Sequence, residues 1–305
     1  MEYLTAIIGP TAVGKSKLAL RLAQDFPAEI VSADSRQVYR YMDIGTNKPT
    51  LAERATTAHH LIDIVDPDED FNLAMYCQLA TEAIKAIQQK GKLPLLVGGS
   101  GLYVWSLVEG WKIPQISPNP RLRYDLETRA KQEGSYVLYK QLQRIDPLAA
   151  TKIHPSNTRR VIRALEIYQM TGQLPSQLRR KETPNFPILI LGLTLDRGEL
   201  YRRIGRRVNK MMQSGLVKEV EGLLKRGYSP TLPSMSGIGY KQIVQSLQGQ
   251  LSLPAAIEQI KFETHRLARH QYTWFNLKDS RIHWFDVAED RSRGKVVKLV
   301  RGFLA

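Results

Sequence analysis

Apolar residues along the chain fall into short continuous runs separated by longer stretches of helical period. Runs at residues 3–8, 29–33, 60–65, 93–97 and 188–195 have the length and continuity of strands buried on both faces. A weaker strand candidate lies at 281–286. Residues 15–24 read as a helix, and so do residues 73–90, where Leu73, Tyr76, Ala80, Ala83, Ile84 and Ile87 repeat near a 3.6-residue period. Strands alternating with helices predict a parallel sheet covered by helices.

The alternation stops after Trp111. Residues 113–120 contain three prolines and read as a linker, and residues 121–180 carry helical patterning without strand runs. Pro184 and Pro187 bracket a second linker, after which 188–195 can rejoin the sheet. The expected organisation is a first core segment at 1–114, a helical insertion at 115–183, and core completion with C-terminal helices at 184–305. Within the insertion, Asn157 can cap a helix running to about Met170, with Val161, Leu165 and Tyr168 on its core face. Further on, Leu200, Ile204, Val208 and Met211 form one apolar stripe, and Ile260, Leu267 and Trp274 form a seam at seven-residue spacing.

Charge sharpens this division. The net formal charge is +15, but residues 1–114 carry 11 Lys or Arg against 13 Asp or Glu, a net of −2. Residues 115–183 carry 13 against 6, and residues 184–305 carry 20 against 10. A basic insertion and C-terminal part joined to a near-neutral first segment point to a polyanionic partner. Arg159 and Arg163 lie one turn apart with Arg160 beside them, a face suited to phosphates or extruded bases. Five arginines between Arg197 and Arg207 exceed what solubility needs. The single cysteine, Cys77, excludes an internal disulfide and a cysteine-rich zinc site. No apolar run reaches the ~18 residues of a spanning helix, and no leader is expected, so the reading is a soluble, cytoplasmic protein.

The candidate chemistry begins at Gly9, Pro10, Thr11, Ala12, Val13, Gly14, Lys15 and Ser16, which match G-x-x-x-x-G-K-[ST] between a strand and a helix. Backbone amides there form an anion nest reinforced by the helix N-terminus. Lys15 neutralises phosphate oxygens and the Ser16 hydroxyl can ligate Mg²⁺. Pattern and motif together predict an α/β fold: a P-loop NTPase-like parallel sheet core with an inserted helical domain and a helical C-terminal part.

The loop binds phosphate without specifying ATP. A hydrolysing NTPase has a later strand ending in Asp. Here the run at 93–97 ends in Gly98-Gly99-Ser100-Gly101, with no carboxylate, and the alternative, Ile62-Asp63-Ile64-Val65-Asp66, is followed directly by Pro67. Asp34 ends the second strand, where ligands sit in open α/β sheets. A lone Asp there serves either as a general base or as a turn or helix cap.

Several stretches together resemble the bacterial tRNA dimethylallyltransferase (tRNA isopentenyltransferase) family. They are Gly9–Ser16, Ser32–Tyr39, Met42–Pro49, His59–Pro67, Gly98–Tyr103, Arg159–Glu166, Gly237–Gln242 and Gln271–Phe275, in the family's order across nearly the whole chain. The resemblance implies an enzyme, a prenyltransferase. It would move a dimethylallyl group from dimethylallyl diphosphate to N6 of the adenosine 3′-adjacent to the anticodon, releasing diphosphate with help from Mg²⁺. It implies Asp34 as general base, Thr11 near the bridging oxygen, Lys15 and Ser16 on diphosphate and metal, and Arg207 on the leaving group. It further implies tRNA contacts at Asp34, Ser35, Arg36, Gln37, Ser100, Arg123, Arg159, Arg160, Val161, Ile162 and Arg163. The partners are then the anticodon stem-loop and the donor, with no membrane and no obligate protein partner, and a monomer is expected. Two departures stand out. Ser100 replaces the family's usual Thr, and His265 and His270 stand where arginine is commoner.

Two other readings share the loop and the basic surface. A P-loop kinase or ATPase acting on nucleic acid would turn over ATP without prenyl transfer. A non-catalytic RNA-binding protein would lose no activity on Asp34→Asn.

Overall fold

The three most continuous apolar runs become the centre of one sheet. In the computed structural model, which describes residues 2–114, 116–178, 180–288 and 292–305, strand β1 (Leu4–Ile8) is followed by helix α1 (Lys15–Asp25), β2 (Ala28–Ala33), α2 (Leu51–Thr56), β3 (His59–His60), α3 (Leu73–Gln89), β4 (Leu93–Gly98) and α4 (Gly101–Val108). The short strand β5 (Trp111–Lys112) precedes α5 (Pro120–Glu133), α6 (Ser135–Ile145), α7 (Pro147–Thr151), α8 (Thr158–Thr171), α9 (Pro175–Leu178) and β6 (Arg180–Lys181). The chain continues with β7 (Ile188–Thr194), α10 (Arg197–Gln213), α11 (Leu216–Lys225), α12 (Tyr240–Leu247), α13 (Leu253–Trp274), β8 (Ile282–Asp286) and α14 (Ser292–Leu304).

Two compact units result, one of residues Met1–Val108 with Pro184–Ala305 and one of Glu109–Thr183. In the first, six parallel strands run in the order β3-β2-β4-β1-β7-β8. The inner strands are buried along nearly their whole length because helices cover both faces. The return of β7 beside β1 is fixed by five register pairs, Leu4↔Ile188 through Ile8↔Gly192.

The third predicted strand is much shorter than the run at 60–65 suggests. It ends at His60, because Leu61 and Asp63 turn to φ 62° and 57° and Asp63 accepts hydrogen bonds from Lys48 and Arg54. A polar side chain able to recruit two cations outweighs the β propensity of its neighbours. The C-terminal seam also differs. On α13 the buried positions are Ala256, Ile260, Ala268 and Gln271, while Leu267 is 39% exposed. Ile260 and Gln271 are eleven residues apart, closer to the 3.6 period than the seven-residue spacing, which drifts around a straight helix.

At the amino end of β2, beside β3, the Glu29 side chain is 4% exposed and binds His60 Nε2 at 2.8 Å, Lys92 at 2.9 Å and Lys90 at 3.2 Å. Burial alone would raise its pKa, but hydrogen bonds from Lys92, His60 and Lys90 bring it down to about 2. Its stabilisation is therefore complete above about pH 4.5 and lost as pH falls toward 2. Glu29→Gln should destabilise the protein at neutral pH by about 1–3 kcal/mol. It should also flatten the stability loss between those two pH values. Urea melts at a series of pH values check this, and a variant with the wild-type acid limb would contradict it.

The second unit is helical, closed at its base by β5 and β6, which pair antiparallel through Trp111↔Lys181 and Lys112↔Arg180. Three of its helix starts are specified locally. Asn119, Asp146 and Asn157 accept backbone N–H bonds as N-caps, and Pro120 and Pro147 follow the first two. Leu126, Leu138, Leu142, Val161, Ile162 and Leu165 form its core.

Candidate functional site

The loop from Gly9 to Ser16 joins β1 to α1 at the carboxyl end of the sheet. Gly9 at φ 137° has no alternative there, because a Cβ would lie 2.4 Å from the Leu193 carbonyl oxygen on β7. Ala12 takes a left-handed φ of 64°, and Val13 is buried beneath the loop. Lys15 folds back over the loop and donates to the Gly9 and Pro10 carbonyls at 3.0 and 2.8 Å. Burial pushes its pKa down to about 7, the Arg207 guanidinium adds to this, and Asp34 opposes it.

Asp34 directly follows β2, and Gly98-Gly99-Ser100 follows its neighbour β4. The shared exit of these two strands explains the local contacts. Ser100 N–H donates to the Ala33 carbonyl, and the Ser35 N–H donates to Ser100 Oγ at 3.2 Å. Asp34 Oδ1 accepts the Arg36 N–H at 2.8 Å, which orients the carboxylate as a turn acceptor while the residue still lines the cavity. Asp34 is thus a turn acceptor whose position still faces the cleft. Arg36 reaches the carbonyls of Pro233 and Ser234 and the Ser236 hydroxyl, so its guanidinium is already engaged. Gln37 takes the Ser32 hydroxyl hydrogen and donates to the Thr46 and Asn47 carbonyls.

A cleft partly open to solvent collects these groups. Thr11, Lys15, Ser16 and Arg207 line it together with Asp34 and Gln37. Apolar walls come from Ala19, Ile30, Ile62, Val97 and Leu267. Arg207 is delivered by α10, whose stripe of Leu200, Ile204 and Val208 is buried in the core beside it. Its Nη1 donates to Thr11 Oγ1 at 3.0 Å. Desolvation lowers the Arg207 pKa and Asp34 opposes that, so Lys15, Arg207 and Asp34 form one coupled electrostatic set. The cleft thus holds an anion-binding end, a carboxylate and an apolar wall, the components needed to grip a diphosphate ester, accept a proton and enclose a short hydrocarbon.

Neither alternative acid reaches this cleft. Asp63 is bonded to Lys48 and Arg54, and Asp66 pairs with Arg40 at 3.1 Å. No group of three or more His, Cys, Asp or Glu side chains that could hold a metal occurs among the described residues. Ser16 offers one hydroxyl at the first turn of α1, so a cation held there would need most of its ligands from substrate phosphate oxygens and water.

In the helical unit the basic residues divide into two classes. Arg159 and Arg160 are exposed at the start of α8, with no side-chain partner among the described residues. Arg123 and Arg163 converge on Glu166, which is 0% exposed, at 2.9 and 2.6 Å. Val161 and Ile162 point into the core, so they support the helix rather than present a surface.

Three features escaped the sequence reading. Gln271 on α13 lines the cleft and accepts the Thr11 N–H at 2.7 Å; a polar residue on a core-facing helical position was the signal. His59 also lines it, and its Nδ1 donates to the Thr57 carbonyl at 2.7 Å, leaving Nε2 as an acceptor. Desolvation lowers the His59 pKa, which favours this neutral ring. Glu219 accepts the N–H groups of Asp43, Ile44 and Gly45 and the Tyr240 hydroxyl, fixing the loop that carries Thr46 and Asn47. On α10 one carboxylate, Glu199, pairs with Arg202, Arg203 and Arg206, so the helix stays strongly basic.

Comparison with known proteins places this geometry. A family model described as IPP transferase matches residues 37–278. The tRNA dimethylallyltransferase of Thermomicrobium roseum is 51% identical over 286 residues, covering 94% of this chain and 87% of its own. That of Dehalococcoides mccartyi is 49% identical over 302 residues, covering 99% and 93%. Among solved structures, a tRNA isopentenylpyrophosphate transferase from Bacillus halodurans superposes with a TM-score of 0.73 at 41% identity, covering 99% of this chain and 96% of its own. A eukaryotic dimethylallyltransferase acting on tRNA reaches a TM-score of 0.83 at 31% identity, covering 99% and 78%.

Proposed function

Since the chain belongs to the IPP transferase family, whose relatives above are tRNA dimethylallyltransferases, we propose that it transfers the dimethylallyl group of dimethylallyl diphosphate to N6 of the tRNA adenosine 3′-adjacent to the anticodon. One observation carries the assignment of roles: the phosphate loop, Arg207 and Asp34 line a single cleft, with Thr11 hydrogen-bonded to Arg207.

The steps follow from the groups present. Loop amides, Lys15 and Arg207 bind the diphosphate. The N6 lone pair attacks C1 while the C1–O bond breaks, and its electron pair leaves with the diphosphate. Thr11 Oγ1 already accepts from Arg207, so its own hydrogen is free to donate to the bridging oxygen. The positive charge developing on N6 is stabilised by Asp34, which takes the N6 proton. Ser16 and the substrate phosphates would hold Mg²⁺, which neutralises charge on the leaving group. The apolar wall encloses the five-carbon chain and excludes water from the allylic carbon. No described helix is long and apolar enough to cross a membrane, and a tRNA substrate is consistent with a cytoplasmic enzyme.

The helical segment at 115–183 supplies tRNA contacts in this reading, carried by Arg159 and Arg160. Replacing both with alanine should flatten the dependence of tRNA affinity on salt by nearly two units of slope, since each neutralised phosphate releases counterions. Arg163→Ala should instead lower thermal stability, because it leaves Glu166 with one cation fewer in the core. Filter binding from low to high salt separates the two, and an unchanged slope in the double variant would place the RNA surface elsewhere.

The function itself is tested by incubating the protein with tRNA, Mg²⁺ and dimethylallyl diphosphate, then analysing nucleosides by mass. N6-isopentenyladenosine should appear with this donor and not with ATP. Turnover of ATP without prenyl transfer would contradict the reading.

A further inference from the structure

The Gln271 carboxamide is 7% exposed and both of its polar atoms bind backbone. Oε1 accepts the Thr11 N–H at 2.7 Å and Nε2 donates to the Gly99 carbonyl at 3.0 Å. The approach is close: a Cβ on Gly99 would lie 2.2 Å from Gln271 Nε2 and would displace the carboxamide. One side chain from α13 thereby ties the loop after β1 to the loop after β4.

Thr11 is held from two sides. Gln271 fixes its backbone, and Arg207 fixes its hydroxyl oxygen. The N–H given to Gln271 is withdrawn from anion binding, so Thr11 acts through its hydroxyl while the later loop amides face the phosphate. A hydroxyl bonded on its acceptor side can aim its hydrogen only if the backbone beneath it is rigid. Leu267, one turn before Gln271, lines the same cleft, so α13 reaches the site at two levels.

We propose that Gln271 is a positioning residue for the transfer step, acting through Thr11 by holding its backbone so that the hydroxyl meets the bridging oxygen of the donor. This rests on the role given to Thr11 above. Both polar atoms of Gln271 are taken up by backbone, so its loss should slow chemistry more than it weakens binding.

The test uses Gln271→Met, which keeps the volume without the hydrogen bonds, beside Gln271→Ala, Thr11→Ala and the Thr11→Ala/Gln271→Met double variant. Thermal melts establish that each is folded, and Gln271→Met guards against collapse of the alanine variant. Gln271→Met should lower single-turnover kcat by about 10- to 100-fold, the scale of a small misplacement of a reacting group. The KM for tRNA should stay within about twofold of wild type, and in the Thr11→Ala background the same substitution should change kcat by less than about twofold. Full additivity with Thr11→Ala, a wild-type rate for Gln271→Met, or a loss confined to tRNA KM would overturn the proposal while leaving the Thr11 role intact. A wild-type rate for Thr11→Ala alone would overturn both.

Discussion

Asp34→Ala should lower the single-turnover rate of prenyl transfer by about 10²–10⁴-fold, the range for a well-placed general base. The adenine N6 lone pair is delocalised into the ring, so the amine is a weak nucleophile and charge builds on nitrogen as the C–O bond breaks. Asp34 is the only carboxylate lining the cleft among the described residues. It sits at the end of β2 beside the loop that grips the leaving group. tRNA affinity should change far less, because most of it comes from phosphate contacts made elsewhere. Asp34 also moderates the cationic pair Lys15 and Arg207. Asp34→Asn should therefore leave donor binding intact or stronger while remaining slow. Rapid-quench rates at saturating tRNA check this. A variant that binds tRNA poorly yet turns over normally would make Asp34 a docking residue.

Lys15→Met should weaken donor binding by about 100-fold or more, since a charged hydrogen bond contributes about 1.5–3 kcal/mol and Lys15 can make more than one to a diphosphate. The pH dependence is equally specific. With its pKa down at about 7, Lys15 is charged below that pH, and donor affinity should fall as pH rises through it. Bound diphosphate favours the ammonium, so binding near pH 7–8 should take up a proton, visible by calorimetry in buffers of different ionisation enthalpy. Stability moves the other way. The unfolded chain holds the Lys15 proton up to about pH 10.5, so the folded state gains stability between about 7 and 10.5 and is penalised below 7. Without donor, Lys15→Met should thus be as stable as wild type or more so at pH 6. Proton uptake unchanged by the substitution would assign the linkage to another group.

The elements that carry the site were readable because each is specified by neighbours in sequence. The phosphate loop lies between an apolar run and an amphipathic helix, and Asp34 closes a second run. The helical unit's starts at Asn119, Asp146 and Asn157 are capped by side chains three residues away at most. Less readable were the positions where polar side chains meet across long separations. Glu166 draws in Arg123 from 43 residues away, so Arg163, which the spacing put on one basic face with Arg159 and Arg160, shares a buried carboxylate with Arg123. Glu219 crosses about 175 residues to hold the loop at 43–45.

The sequence by itself determined the parallel α/β core, the anion-binding loop, the basic character of the remaining two thirds and the residue types of the chemistry. Those follow from periodicity, spacing and charge, which are local properties. Tertiary structure decided which of the many arginines meets the phosphate loop. Arg207 meets Thr11 across 196 residues because β7 returns beside β1 and aims α10 at the loop. It likewise brought Gln271 to the same loop across 260 residues. The physical reason is common to both. A helix presents its polar residues in every direction, and only the packing of its apolar stripe against the sheet selects the one that faces the ligand.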